Sequence, residues 1–519
     1  VVAKIREVIV YSISVNDSNS ILGEDILKKD FEDLKNPEIG ESKIKDKLFA
    51  QEQNLNEYLS AWLELSKESK FVYPSQGLLL TPHDYLPTTG KHLLTQEVMV
   101  KTLRMRRYFL ELFNHPYRLR RLEEVNEQNY IPPTKIESKI MRSALKRGQS
   151  LSIGDLGAIV VGTSTDRVSR TERLACGPFV KLGRYSRHIF VGSSSPDVWN
   201  SCAAIATMAA SHCLAGIPRN GILSDIKRQA DIAEETFSWL AVEAETIGGG
   251  LSSWLLDKWR KNVMGTLEAS PEKAIERAEA LYEKGVRCFR VYSPEPGLGP
   301  EKTVRELRNR FGLEIEIFAG QMVDVEQSKR VEDAGADGLF VGIGGGGRCI
   351  TGVRSGSAVD WPELVFQLRG EVGIPVIAEG GASDHIAVSL LLGASGISVS
   401  RVVAGGTIES PGGALYCDDG NGRLYKPYGG EASARTKYLD GKLLPFDIPS
   451  FVEGETTKAY MSYVKFVYPT LTYNLYLLIE DAILAMVFRG ASNIQELLNI
   501  DPSPLRYLSI AGDSQRGTH

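Results

Sequence analysis

Residues 314–344 read EIEIFAGQMVDVEQSKRVEDAGADGLFVGIG, and dividing this stretch decides the fold. EIEIFAGQ from Glu314 and GLFVGIG from Gly338 are short, β-rich apolar runs bounded by turn residues, the form of buried strands. DVEQSKRVEDAG between them is an amphipathic helical stretch that ends in glycine, where a left-handed C-cap lets the chain re-enter a sheet. Strand, helix, strand in that order predicts a parallel pair joined by a crossover helix.

The same grammar extends in both directions. Further strands are expected at IFVGSS from Ile189, LAGIPR from Leu214, NVMGTL from Asn262, RCFRVYS from Arg287, IPVIAEGG from Ile374 and GISVSRV from Gly396, which brings the count to eight. Helical stretches fall between them, among them DIKRQADIAEETFSWLAVEAE, SPEKAIERAEALYEKG and SDHIAVSLLLGA, with LTYNLYLLIEDAILAMVFRG last. Eight strands alternating with helices predict an α/β fold, a (β/α)₈ TIM barrel. Residues 1–150, rich in Lys, Glu, Leu and Arg, read as a mostly helical N-terminal extension, and 151–500 as the catalytic barrel domain. The Gly- and Pro-rich stretch at about 410–460 is too long for a plain connection and reads as a mobile flap inserted in the last βα unit; 501–519 is a C-terminal tail. The basic segment from Arg104 to Arg121 reads as a solvated helix face, with a docking surface as the alternative.

Composition narrows the function classes. The 519 residues carry a net charge of −5 with no dominant basic stripe, so nucleic acid is not the expected partner. Six cysteines occur without any CxxC pair, which argues against a zinc site or a disulfide framework and for reduced thiols. The first residues, VVAKIREVIVYSISV, lack the pattern of a secretory leader, and no continuous apolar run has the length of a membrane span. A soluble cytoplasmic protein without a membrane partner is the expectation.

In such barrels the reactive groups stand at the C-terminal ends of the strands. The sixth ends VGIGGGGRCITGVRSG, from Val341 to Gly356, where four consecutive glycines free the backbone to approach a ligand and Cys349 follows beside Arg348. That setting favours a thiolate nucleophile. The other five cysteines, in apolar or flap contexts, read as non-catalytic. The seventh strand ends AEGG and the eighth SVSRVVAGG, so Gly380, Gly381, Ser400 and Arg401 are candidates for a phosphate cradle.

GIGGGGRCIT resembles the substrate-cysteine loop of the IMP dehydrogenase/GMP reductase family, and IPVIAEGG with GASGISVSRVVAGG resembles that family's phosphate segments. The likeness runs from VGSSSPDVWNSCAAIATMAA and GIPRN through FAGQMVDVEQSKRVEDAGADGLFVGIG to LYKPYGGEAS and FVEGE, about 300 residues. It implies an NAD(P)-dependent oxidoreductase on a purine nucleoside monophosphate, a covalent thioimidate and a homotetramer. Cys349 takes the nucleophile's place, and Thr351 that of the threonine that helps to activate the departing ammonia or attacking water. Gly346, Gly347, Arg348, Glu379, Gly380, Gly381, Ser400 and Arg401 fall at substrate positions, with Glu379 at the ribose. Tyr292, Ser293, Gly320, Gln321, Gly342 and Gly344 fall at cofactor positions. Carbonyls of Gly344, Gly346 and Cys349 match positions that hold a monovalent cation such as K⁺.

Three departures qualify the likeness. VYSPEPG puts Tyr292 where the family has an aspartate at the nicotinamide end, and YGGEAS puts Gly429 where dehydrogenases carry the arginine base for hydrolysis. Only about 44 residues separate GIPRN from MGTL, so the regulatory CBS pair is missing, as in the reductases. Without the arginine, reductive chemistry with Glu431 as flap carboxylate is the favoured direction; Arg435 is the other nearby group. The alternatives are a nucleotide-binding or regulatory barrel without turnover, and a barrel oxidoreductase using FMN, whose phosphate is cradled at the same strands.

Overall fold

The computed structural model describes residues 55–71, 81, 86–158, 173, 177–193, 195–294, 296–343, 349–441, 443–461, 468–500 and 505–511. Eight parallel strands close into a barrel: β1 (Phe190–Gly192), β2 (Leu214–Ile217), β3 (Val263–Glu268), β4 (Cys288–Tyr292), β5 (Glu316–Met322), β6 (Gly338–Val341), β7 (Val376–Ala378) and β8 (Gly396–Val399). Each falls on a segment expected from the sequence. The ring is sealed where β8 meets β1, with Ile397 paired to Phe190 and Val399 to Gly192. The strands read as continuous apolar runs because both faces are covered: Phe289, Ile317, Leu339, Phe340 and Ile397 are all fully buried. Helix starts are set by side-chain caps, as where Asp324 accepts from the Gln327 amide at 2.6 Å. Between β2 and β3 the chain makes only helical turns, Ile226–Ile247 among them, and no inserted domain.

The N-terminal region is helical at α1 (Leu55–Glu68) and α2 (Gln96–Phe113), but it also donates an unexpected strand, Gly90–Leu93. This strand pairs with β9 (Leu415–Asp418) at the edge of an antiparallel sheet that continues through β10 (Leu424–Gly429) to β11 (Thr456–Tyr460). The flap therefore stands on an ordered sheet built from two distant parts of the chain. Lys426 of β10 ties that sheet to the turn after β8, donating to the carbonyls of Thr407 at 2.7 Å, Gly413 at 2.8 Å and Ser410 at 3.1 Å. Burial pushes the pKa of its ammonium group down to about 7.

The basic segment from Arg104 to Arg121 is only in part the solvated face expected of it: Arg104 and Arg120 are exposed, whereas Arg106, Arg107 and Arg118 are buried. Arg106 is fully buried, with Nη1 at 2.5 Å from Glu243 of helix α3 (Ile226–Ile247), Nε at 3.4 Å from Glu409 and Nη2 donating to Thr207 at 2.7 Å. Tyr58 of α1 accepts from the same guanidinium. Glu409 in turn accepts from the Thr470 hydroxyl at 2.6 Å and the Leu471 amide at 3.1 Å. Four regions of the chain thus meet at one guanidinium, and hydrogen bonding to these partners offsets its desolvation.

The last long helix, α4 (Leu471–Arg489), has the length and apolar composition of a membrane span, yet half of it is buried inside the protein. It packs on α2 and on the helices after β7 and β8, and Glu480 and Asp481 face outward at its middle. These are the features of a core helix.

Candidate active site

The C-terminal ends of β1, β2 and β4–β8 converge on one mouth, and their side chains are linked. At its centre Arg290 of β4 points into the barrel and grips Glu379, the residue after β7, with Nη1–Oε1 at 2.9 Å and Nη2–Oε2 at 2.7 Å. The Ser193 hydroxyl donates to Oε1 at 2.8 Å and Gln321 Nε2 to Oε2 at 3.0 Å. An ionised carboxylate offers about four acceptor positions, and here protein donors occupy that number. The expected ribose-binding carboxylate is, in this conformation, a strut across the mouth.

The backbone near Glu379 is crowded. A Cβ on Gly342, whose φ is +142°, would lie 2.2 Å from the Glu379 carbonyl oxygen, so only glycine lets β6 run this close to β7. Gly380 and Gly381 follow at φ +85° and +82°. Ser400 donates to the Ser193 carbonyl at 2.6 Å and accepts from Trp199 Nε1 at 3.3 Å. Next to it Arg401 is half-buried and makes no hydrogen bond or ion pair among the described residues. Two glycines in left-handed conformation and an unengaged guanidinium make a fitting cradle for a phosphate, while the Ser400 hydroxyl spends its proton on Ser193.

Gly344, Gly346, Gly347 and Arg348 lie outside the described residues, and of the expected cation ligands only Cys349 is within them. Cys349 is half-buried, and its Sγ donates to the Thr351 hydroxyl at 3.3 Å. Thr351 passes the chain of bonds on, donating to Glu453 Oε2 at 3.1 Å. The backbone holds this relay together: Ile350 donates to the Glu453 carbonyl at 2.9 Å, and Gly454 bridges to both Cys349 and Ser433. The flap segment carrying Glu431 is thereby pinned beside the cysteine.

Glu431 accepts from Asn220 and is hydrogen-bonded to the Tyr292 hydroxyl. Burial pushes its carboxyl above the usual range. Two guanidinium groups lie against the Tyr292 ring, that of Arg219 5.6 Å from its centroid and that of Arg290 at 4.9 Å. Ser293, Gly320 and Gln321 are joined through their backbones, with Ser293 donating to the Gly320 carbonyl at 3.1 Å and Gln321 to that of Ser293 at 2.8 Å. These expected cofactor positions form one continuous edge at the ends of β4 and β5.

At Gly429 the backbone is closed on both sides: its amide donates to Asp197 at 2.8 Å, and its carbonyl accepts from Ser195 at 2.9 Å. A Cβ there would meet Ser433 Oγ at 2.4 Å. Arg435, the other candidate base, is buried and bound to Asp197 at 2.8 Å. Neither position offers a free base to water.

Reading the sequence did not identify Glu453, Arg290, Ser193 or Asn220 as part of the mouth. Arg290 alone left a signal, a charged residue in the middle of a buried strand. The others are joined to the site by pairings between segments far apart in the chain.

The family described as IMP dehydrogenase / GMP reductase domain matches residues 189–513. The chain is similar to the inosine-5'-monophosphate dehydrogenase of Aquifex aeolicus, 30% identical over 252 residues that cover 45% of this chain and 48% of that protein. The enzyme of the same name from Cryptosporidium parvum is 34% identical over 167 residues, 31% of this chain and 40% of its own. Inosine-5'-monophosphate dehydrogenase 1 of Arabidopsis thaliana is 33% identical over 190 residues, 35% and 37% of the two chains. The matched stretches span about half the length of these relatives or less.

Proposed function

This chain belongs to the IMP dehydrogenase/GMP reductase family, and from that premise we propose that it is an NAD(P)-dependent oxidoreductase acting on a purine nucleoside monophosphate through Cys349, in the reductive direction. The observation that carries the reading is the hydrogen-bonded line Cys349–Thr351–Glu453 under the flap. Thr351 accepts the thiol proton and donates toward Glu453, which prepares Cys349 for addition to C2 of the base. Loss of ammonia from a 2-amino-purine then requires an acid beside the leaving nitrogen. Glu431, whose carboxyl burial pushes above its ordinary range and which is tethered next to the cysteine loop, suits that role.

Tyr292, Ser293, Gly320, Gln321 and Gly342 would hold the cofactor along the β4–β5 edge and beside β6. When bound, the reduced nicotinamide would supply the hydride for C2, in exchange for the C2–S bond, whose electron pair returns to Cys349 as the thiolate. The residues after β7 and β8 hold the phosphate, and Glu379 meets the ribose where Ser193 or Gln321 gives way. The closed surroundings of Gly429 and the Asp197-bound Arg435 favour reduction over hydrolysis, which needs a base to activate water. A cytoplasmic homotetramer with a monovalent cation at Gly344, Gly346 and Cys349 completes the proposal, with no step assigned to that cation.

The direction is tested by following nicotinamide absorbance with GMP or IMP and each of NAD⁺, NADH, NADP⁺ and NADPH. GMP with a reduced cofactor is expected to turn over faster than IMP with an oxidised one, and the reductive rate to fall as rising pH ionises Glu431. Rapid, multiple-turnover XMP formation would overturn the direction. Silence with every pair would favour a nucleotide-binding barrel.

The cradle has its own test. Arg401→Ala is expected to raise the dissociation constant of GMP about 10-fold or more, the value of a charge-assisted phosphate contact, and to leave guanosine binding unchanged. Calorimetric titration of both ligands decides it; equal weakening would mean that Arg401 supports the fold instead.

A further inference from the structure

A charged side chain in the middle of a buried strand is costly unless it is fully engaged, and Arg290 of β4 is buried and engaged on two sides. The central carbon of its guanidinium lies 3.8 Å from the centroid of the Phe340 ring of β6, and its two Nη atoms hold both oxygens of Glu379. Ser193, also buried, donates to Oε1 at 2.8 Å and shares a second hydrogen bond of 2.8 Å with Ser398 of β8. Gln321 Nε2 donates to Oε2 at 3.0 Å. Glu379 is itself buried, so its acceptor positions face these donors rather than water.

A sugar hydroxyl reaches this carboxylate only by displacing one of its donors. Arg290, with two charge-assisted bonds and the Phe340 ring against it, is the last to leave, so the donor displaced is Ser193 or Gln321. Where a carboxylate has a vacant acceptor position, a hydroxyl that fills it separates a ribonucleotide from its 2′-deoxy counterpart by about 10- to 100-fold, the value of one hydrogen bond to a charged group. Where every position is filled, the bond gained replaces a bond lost and the separation collapses. We propose that this site takes 2′-deoxyribonucleoside monophosphates as readily as ribonucleoside monophosphates, because Arg290, Ser193 and Gln321 saturate the carboxylate that would otherwise read the sugar. This rests on the proposed function, in which Glu379 faces the ribose. Phosphate and base are the same in the two ligands, so the cradle after β7 and β8 and the Cys349 loop favour neither.

The test is calorimetric titration of GMP and 2′-deoxy-GMP into the full chain, unaltered and as Ser193→Ala and Gln321→Ala. The unaltered protein is expected to bind the two with dissociation constants within about 3-fold of each other, well short of the value of one bond to a free carboxylate. Each variant takes one donor from Glu379 and keeps the Arg290 pair, which opens one acceptor position. At least one of them is expected to prefer GMP by about 10-fold, with its melting temperature unchanged. If the unaltered protein prefers GMP by more than the expected margin, the inference fails while the proposed function stands. If it binds neither nucleotide, the proposed function fails and the inference with it. If both variants melt as the unaltered protein does and neither gains a preference for GMP, Glu379 does not read the sugar and the assignment is overturned. The first comparison needs no variant, so it decides the inference even where a substitution weakens the fold.

Discussion

Cys349→Ser is expected to lower turnover about a thousandfold or more, with the dissociation constant for the purine nucleotide within a few-fold of that of the unaltered protein. Serine preserves the size of the side chain and a hydrogen bond to Thr351, so the change tests nucleophilicity rather than packing. An alkoxide is far less accessible than a thiolate near neutral pH, and the Thr351–Glu453 line that accepts a thiol proton does not make serine its equal. The measurement is single-turnover nicotinamide oxidation with GMP, together with mass spectrometry of the denatured protein for a nucleotide adduct on the cysteine peptide. A serine variant with near-normal rate would exclude covalent catalysis at this position. The proposed phosphate cradle lies at the ends of β7 and β8, beyond the β6 loop that carries the cysteine, so the affinity arm reports on an intact pocket.

The second large effect is on stability. Arg106→Met is expected to destabilise the protein by about 3–5 kcal/mol, because it strands Glu243 and Glu409 without their shared cation in the interior. Burial already pushes the Glu243 carboxyl upward with Arg106 in place. Denaturant unfolding of the variant measures the loss. The triple variant Arg106→Met, Glu243→Gln, Glu409→Gln should recover a good part of it, since the charges are then removed together. If the single variant is as stable as the unaltered protein, the cluster does not hold the N-terminal helices to the barrel.

How far these features were readable differs from residue to residue. The stretch 314–344 divides into strand, helix and strand by local pattern alone, and the structure places β5 and β6 inside it as parallel neighbours. Cys349 and the glycines after β7 were legible for the same reason, since barrel topology brings every strand end to one mouth. Glu453 was not, because its contact with Thr351 spans 102 positions and depends on how the flap folds back. The strand Gly90–Leu93 was missed because its sequence, GKHL, is short and exposed, and it becomes a strand only through pairing with β9.

The sequence by itself determined the (β/α)₈ architecture, the strand ends to inspect and the family resemblance, all properties carried by periodicity and by motifs of contiguous residues. Only the tertiary structure decided which charges are spent on one another. Arg290 and Glu379 lie 89 positions apart and Arg106 and Glu409 still further, so nothing local distinguishes them from Arg219 and Arg401, which make no hydrogen bond or ion pair among the described residues. The physical reason is that a guanidinium's role is set by the acceptors within about 3 Å of it in the folded chain.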